Sequence, residues 1–350
     1  MTAAQRLYHL ALRELHAAAG ARFGQWAGWS LPEDYGAAEH EYRALREHAV
    51  VVDRSQRSRF MVTGTDASEV LATVFKGRVN ELEEARAMRS VSVDAEGNIR
   101  DLALIARTGG IAYLVSGEPG QREDTRERLQ LAAATPDFDA RVDDRTESTC
   151  LVSLVGPAAE AIARQHLSEG LPARLRTMHS ATFEFHGFRA LAARTSDAGE
   201  DGFEFVLAPA VAQHIIETLR GAGVPLAGRS ATEVARIESC IPAFDPDLLP
   251  GLSPAESDLD VLLDVEPGQS ERILAAMLFE SEVPPKVGSP VMANGTRVGE
   301  VRSACRSWAM GATIGLTLLD RRFALPGAAL TLDGAPVNIS AKPIYRRRPT

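Results

Sequence analysis

One plan of chain is written twice in this sequence, and that repetition constrains the fold more than any other feature. Phe60-Met-Val-Thr-Gly-Thr-Asp-Ala-Ser-Glu-Val-Leu71 reads as a strand, a glycine turn and an amphipathic helix. Leu151-Val-Ser-Leu-Val-Gly-Pro-Ala-Ala-Glu-Ala-Ile-Ala163 repeats it, with Pro157 at a favourable first-turn position. Alternating segments at 89–93, 101–106, 111–116 and 182–193 supply further strands, and 209–222 a helix. Met1 to Leu15 also reads as a short helix, with Leu7, Leu10, Leu12 and Leu15 near helical spacing. The expectation is an α+β fold of two related lobes, each carrying helices on a mostly antiparallel sheet. From about Ala275 short apolar runs are separated by turn signals at Gly288-Ser-Pro290, Asn294-Gly295, Pro326-Gly327 and Asp333-Gly334. That spacing indicates a small β-barrel or sandwich, with the barrel as the expectation. The boundary is placed in Asp264-Val-Glu-Pro-Gly-Gln-Ser270, giving a region 1–265 of two intertwined lobes and a C-terminal barrel over 271–350.

At 350 residues the chain is longer than one core usually reaches, which fits several lobes. Its net charge of −9 argues against a nucleic-acid surface, which needs a basic face. No apolar run approaches a membrane span, so no membrane partner is expected. Cys150, Cys240 and Cys305 are widely spaced with no nearby histidine pair. That pattern gives neither a disulfide framework nor a metal site, and fits a cytoplasmic location.

Two carboxylates stand out. In Arg194-Thr-Ser-Asp-Ala-Gly-Glu-Asp-Gly-Phe-Glu-Phe205, Gly199 and Gly202 bracket an acidic pair between segments that read as strands. Glu200 on such a turn is either an ordinary solvated surface acid or an acceptor for two N–H donors of a flat heterocycle. Asp101 follows Gly97-Asn-Ile-Arg and begins the apolar run Leu102-Ala-Leu-Ile105. A carboxylate there is a structural cap or a site residue, and only its neighbours decide which. Arg100 beside it need not quench it, because adjacent strand residues face opposite ways.

A longer set of segments, taken in order, resembles the glycine-cleavage T-protein (aminomethyltransferase) family. It begins with Gly20-Ala-Arg-Phe-Gly-Gln-Trp-Ala-Gly-Trp29, Leu31-Pro32, Tyr35, Glu39-His40, Arg43 and Val51-Val52-Asp53-Arg54-Ser55. It continues through Val62-Thr-Gly64, Gly97-Asn-Ile-Arg-Asp101-Leu102, Gly156-Pro157 and the Glu200 turn. Ala231, Arg236-Ile237-Glu238, Ser253-Pro254 and Lys342-Pro343-Ile-Tyr345-Arg346 complete it. The resemblance implies a tetrahydrofolate-binding protein that transfers an aminomethyl or methyl unit, working with a carrier or client protein. It implies Asp101 as the catalytic residue, stabilising positive charge that develops on the folate amines. It implies Glu200 as the pterin anchor, with Met88, Val115, Asp197, Thr232 and Arg236 as further folate contacts. Arg346 then either pairs with the folate glutamate tail or belongs to a solvated basic end.

This chain also departs from that pattern. Met88 and Ile105 stand where the family has tyrosines, Asp197 replaces the tyrosine of its TGYTGE segment, and Thr232 replaces an arginine. Threonine does not reproduce the guanidinium fork. A second branch of the same fold, the YgfZ-type proteins, implies a non-catalytic folate-binding role in iron–sulfur cluster maturation. Phe75-Lys-Gly-Arg-Val79 resembles one of its segments, but the cysteine motif of that branch is missing.

Overall fold

The computed structural model describes residues 7–167, 171, 175–249, 251–259 and 270–346. They fall into two compact units, one of Met1–Val93, Arg100–Ser196 and Glu200–Ala231, the other of Asp94–Ile99, Asp197–Gly199 and Thr232–Thr350. The first unit opens with β1 (Tyr8–His9), α1 (Arg13–Ala18), β2 (Arg22–Trp26), β3 (Trp29–Asp34), α2 (Ala38–Glu47) and β4 (Val50–Asp53). The first copy of the repeat follows as β5 (Ser58–Thr63), α3 (Ala67–Val74), β6 (Ala87–Val93), β7 (Ile99–Gly109), β8 (Ala112–Gly117) and α4 (Arg122–Ala133). After β9 (Arg141–Asp144) comes the second copy: β10 (Cys150–Val155), α5 (Ala159–His166), β11 (Ser180–Phe185), β12 (Phe188–Ala193), β13 (Gly202–Leu207) and α6 (Pro209–Gly221).

Each copy builds a five-stranded sheet, ordered β6-β7-β8-β5-β9 and β11-β12-β13-β10-β4. The edge strands are exchanged. β4, which leads into β5, pairs with β10, and β9, which leads into β10, pairs with β5. Each repeat therefore completes the other's sheet. The turn after each repeat strand needs glycine for the same reason. Gly64 and Gly156 sit at φ +131° and +139°, and a Cβ would lie 2.1 Å from the Asp139 carbonyl and 2.5 Å from the His48 carbonyl. Helices cover one face of each sheet: α3 and α4 pack with Phe60, Val70 and Leu129, and α5 and α6 with Val152, Ile162 and Ile215. Ala87, Leu104, Ala106, Leu114 and Ala193 fill the space between the two sheets.

Arg59 ties the exchanged strands together. It is fully buried on β5, yet among the described residues its guanidinium meets no carboxylate. It donates instead to the carbonyls of Ser55 and Arg57 in the turn after β4, and to the carbonyls of Thr146 and Thr149 and the Thr149 hydroxyl in the turn after β9. Burial pushes its pKa down to about 10. The fork is held by backbone carbonyls that otherwise have no water to turn to.

In one place the local sequence signal gave way. Of the helix expected over residues 1–15, residues 1–6 lie outside the described residues, and from residue 7 on helix starts at Arg13, because Tyr8 and His9 pair in parallel with Trp29 and Ser30. Leu10 and Leu12 are buried, so their spacing served packing rather than a helical stripe. The strands expected over 182–193 are present as a hairpin, turned at His186-Gly187 with φ +50° and +81°.

In the second unit, α7 (Arg229–Glu238) continues from the first, and α8 (Pro254–Ser257) starts with a capping box in which Ser253 and Glu256 satisfy each other's backbone N–H. β14 (Arg272–Phe279), β15 (Pro290–Ala293), β16 (Thr296–Ser307), β17 (Ala312–Asp320), β18 (Leu330–Leu332) and β19 (Ala335–Ile339) form a closed barrel in the order β14-β17-β16-β15-β18-β19. Two of its hairpins turn on Asn294-Gly295 and Asp333-Gly334, each with both residues at positive φ as a tight hairpin turn requires. Met277, Val291, Val301 and Leu319 fill its interior. The molecule is thus α+β, with two related antiparallel lobes and a C-terminal barrel.

Candidate functional site

Asp101 sits near the start of β7, where strand alternation sends Arg100 outward and Asp101 to the face shared by Ala103 and Ile105. It is completely buried. Its Oδ1 accepts the Glu118 N–H at 2.9 Å, and its Oδ2 accepts the Thr125 hydroxyl at 2.6 Å. Burial raises its pKa above the usual carboxylate range, and Thr125, the Glu118 N–H and the Arg57 charge offset that only in part. Gly117 makes room for it: a Cβ there would lie 2.4 Å from Asp101 Oδ2 and 3.0 Å from Ser58 Oγ. Gly117→Ala is expected to push the carboxyl off its donors and to cost about 1–3 kcal/mol, read as a lower urea midpoint.

Of the other residues expected at the site, Val115 lies opposite Ile105 on β8, and Met88 packs against the same apolar core. The structure thus gathers Met88, Ile105 and Val115 beneath α3 and α4, on the strand face that Asp101 shares. Glu200 is not a solvated acid. Its side chain is 8% exposed and accepts from Arg46 of α2 at 3.0 Å, across 154 residues of chain. Gly199, at φ +72°, makes the turn that brings it there. The neighbouring Asp201 is taken by Arg194, whose guanidinium also lies 5.4 Å from the Phe203 ring. Asp197 and Thr232 are half-buried residues of the second unit. Arg236, in the same unit, is buried with its fork spent on its own chain, on Asp247 at 2.6 Å and on Glu233. Burial alone would lower its pKa, but those two acids raise it. Arg346 is exposed, and Arg347 and Arg348 lie outside the described residues.

Arg46, Arg57, Glu118 and Thr125 were not singled out from the sequence. The one local signal was for Arg46, an arginine on the same helix face as Tyr42 and Leu45. A second buried network was also missed. His16 Nε2 donates to Asp53 Oδ2 at 2.8 Å, and Tyr35 meets His16 Nδ1 at 2.8 Å. Burial pushes the Asp53 carboxyl up, but the His16 hydrogen bond and the Ser55 contacts outweigh it and hold the pKa below the ordinary value. A depressed folded pKa adds stability above the unfolded value, near pH 4, and loses it as pH falls through the folded pKa. Asp53→Asn is therefore expected to flatten the loss of stability in acid, measured as urea midpoints from pH 5 downward.

Among the described residues no group of three or more His, Cys, Asp or Glu is placed to hold a metal ion. No described helix is long and apolar enough to cross a membrane. The three cysteines are unpaired, and burial pushes the Cys150 thiol up to about 11, away from reactivity.

Residues 12–266 match the family model of the GCVT N-terminal domain, and residues 272–346 that of the glycine cleavage T-protein C-terminal barrel domain. The aminomethyltransferase of Streptomyces avermitilis is 28% identical over 367 residues, covering 97% of this chain and 98% of that protein. That of Rubrobacter xylanophilus is 29% identical over 354 residues, covering 96% and 94%. The crystal structure of glycine cleavage system aminomethyltransferase T from Bartonella henselae superposes with a TM-score of 0.88 over 97% of this chain and 98% of that one, at 22% identity, which establishes a shared fold.

Proposed function

The chain belongs to the glycine cleavage T-protein family, and on that premise we propose that it binds tetrahydrofolate and transfers a one-carbon unit to it. The observation that carries this reading is Asp101, a carboxyl closed off from solvent, raised by burial and fixed by Thr125 and the Glu118 N–H. Raising a carboxyl brings its proton exchange closer to working pH, and its ionised form stabilises positive charge on an adjacent amine. Glu200, oriented by Arg46, is an acceptor of fixed direction for the N–H edge of a pterin. Met88, half-buried, offers aliphatic contact where ring stacking would hold a pterin more tightly, and Val115, fully buried, supports it through packing. On this reading the chain divides into a ligand-holding region, 1–265, and the barrel, 271–350. The roles of Asp197, Thr232, Arg236 and Arg346 are tested one at a time by single substitutions in a folate-binding measurement.

A second reading, a folate-binding protein without transfer activity, is favoured by one observation: both Asp101 oxygens are already engaged by the chain's own donors. Reconstitution with glycine, tetrahydrofolate and the partner proteins of a glycine cleavage system separates the two. Ammonia release that depends on both this chain and tetrahydrofolate supports transfer. Folate binding without that release supports the second reading.

A further inference from the structure

The buried groups beside Asp101 form a chain of contacts that begins at Arg57. In the turn between β4 and β5, Arg57 donates Nη2–H to Glu118 Oε1 at 2.8 Å, the two side chains being 7% and 11% exposed. Glu118 donates its backbone N–H to Asp101 Oδ1. Thr125 faces the same carboxyl from α4, Ser58 lies beside Gly117 on β5, and Arg57 with Glu118 is the charged pair that this chain of contacts brings to it. Arg100 points away and lies 3.8 Å from Asp124.

We propose that Arg57, held by Glu118, is the positioning residue that sets the placement and charge of the Asp101 carboxyl. Glu118 supplies the carboxylate that offsets the cost of holding this guanidinium out of water. Once fixed, its positive charge favours ionised Asp101 against the burial that opposes it. The same pair clamps the end of β8, whose next N–H is the donor to Asp101. The purpose of this tuning rests on the reading of Asp101 as the transfer residue, but the tuning itself is measurable without turnover.

The test is a carbon-13 carboxyl titration of the full chain without ligand, with the Asp101 resonance identified by its absence in Asp101→Asn. Arg57→Met is expected to move the Asp101 midpoint up by about one pH unit or more. Glu118→Gln is expected to move it down, and Arg57→Lys to fall between wild type and Arg57→Met. Loss of packing alone would move every variant the same way, toward the ordinary carboxyl value. Should Arg57→Met not fold, Arg57→Lys keeps a cation paired with Glu118 while losing the fork, and its smaller upward shift carries the test. A midpoint that stays put or falls on loss of Arg57 overturns the proposal. In the transfer assay Arg57→Met should lower kcat by about tenfold at unchanged KM. Midpoints that move as expected in a protein that transfers nothing leave the tuning standing and remove the transfer reading. Turnover with unmoved midpoints does the reverse.

Discussion

Replacing Asp101 with asparagine is expected to slow one-carbon transfer by about a hundredfold or more while leaving the protein at least as stable as before. The two halves of that outcome have one cause. Asp101 is buried, and its pKa is raised because the ionised form is costly there. A carboxyl whose folded pKa lies above its unfolded one contributes stability that is fully present below the unfolded value and is lost as pH rises through the folded value. Asparagine has no charge to pay for, and its amide still accepts from the Glu118 N–H. The pH-dependent loss should therefore disappear in the variant, together with the activity. Transfer at the wild-type rate in Asp101→Asn would remove Asp101 from the chemistry. A loss of several kcal/mol in stability would instead make it a structural cap.

The second large effect concerns Arg59. Arg59→Met is expected to cost about 3 kcal/mol or more, a large share of the ~5–15 kcal/mol that holds a typical protein folded. The substitution strips donors from the carbonyls of Ser55, Arg57, Thr146 and Thr149 at once. Each unsatisfied buried acceptor costs about 1–3 kcal/mol, and relief from burying the guanidinium charge returns part of that. Arg59→Lys should rescue little, because an ammonium carries three donors and cannot span both turns. Equilibrium urea unfolding measures both variants. An Arg59→Met midpoint within error of wild type would show that the turns find other partners, and that the strand exchange does not depend on this side chain.

The fold was legible where glycine geometry and alternation carried the signal. The twin strand-turn-helix segments turn at Gly64 and Gly156 with nearly the same φ, as their shared pattern implied. The barrel hairpins turn at Asn294-Gly295 and Asp333-Gly334, where only such residues adopt the required φ readily. The exchange of β4 and β9 was not legible, because both are short runs whose partners are fixed by long-range pairing. The candidate site divides the same way. Asp101 and Glu200 were singled out by motif, but the groups that surround them come from elsewhere in the chain. Arg46 reaches Glu200 across 154 residues, and Thr125 reaches Asp101 from the following helix. Of the two readings left open for Glu200, a solvated surface acid or an acceptor for a flat heterocycle, the first needs exposure, and the side chain is instead 8% exposed beside Arg46.

Calorimetric titration of the full chain with tetrahydrofolate, with Glu200→Gln alongside, tests the folate reading most directly. The expected result is saturable binding of one folate per chain, weakened about tenfold or more in Glu200→Gln, since a charged hydrogen bond of ~1.5–3 kcal/mol is lost. No binding at millimolar tetrahydrofolate would contradict it.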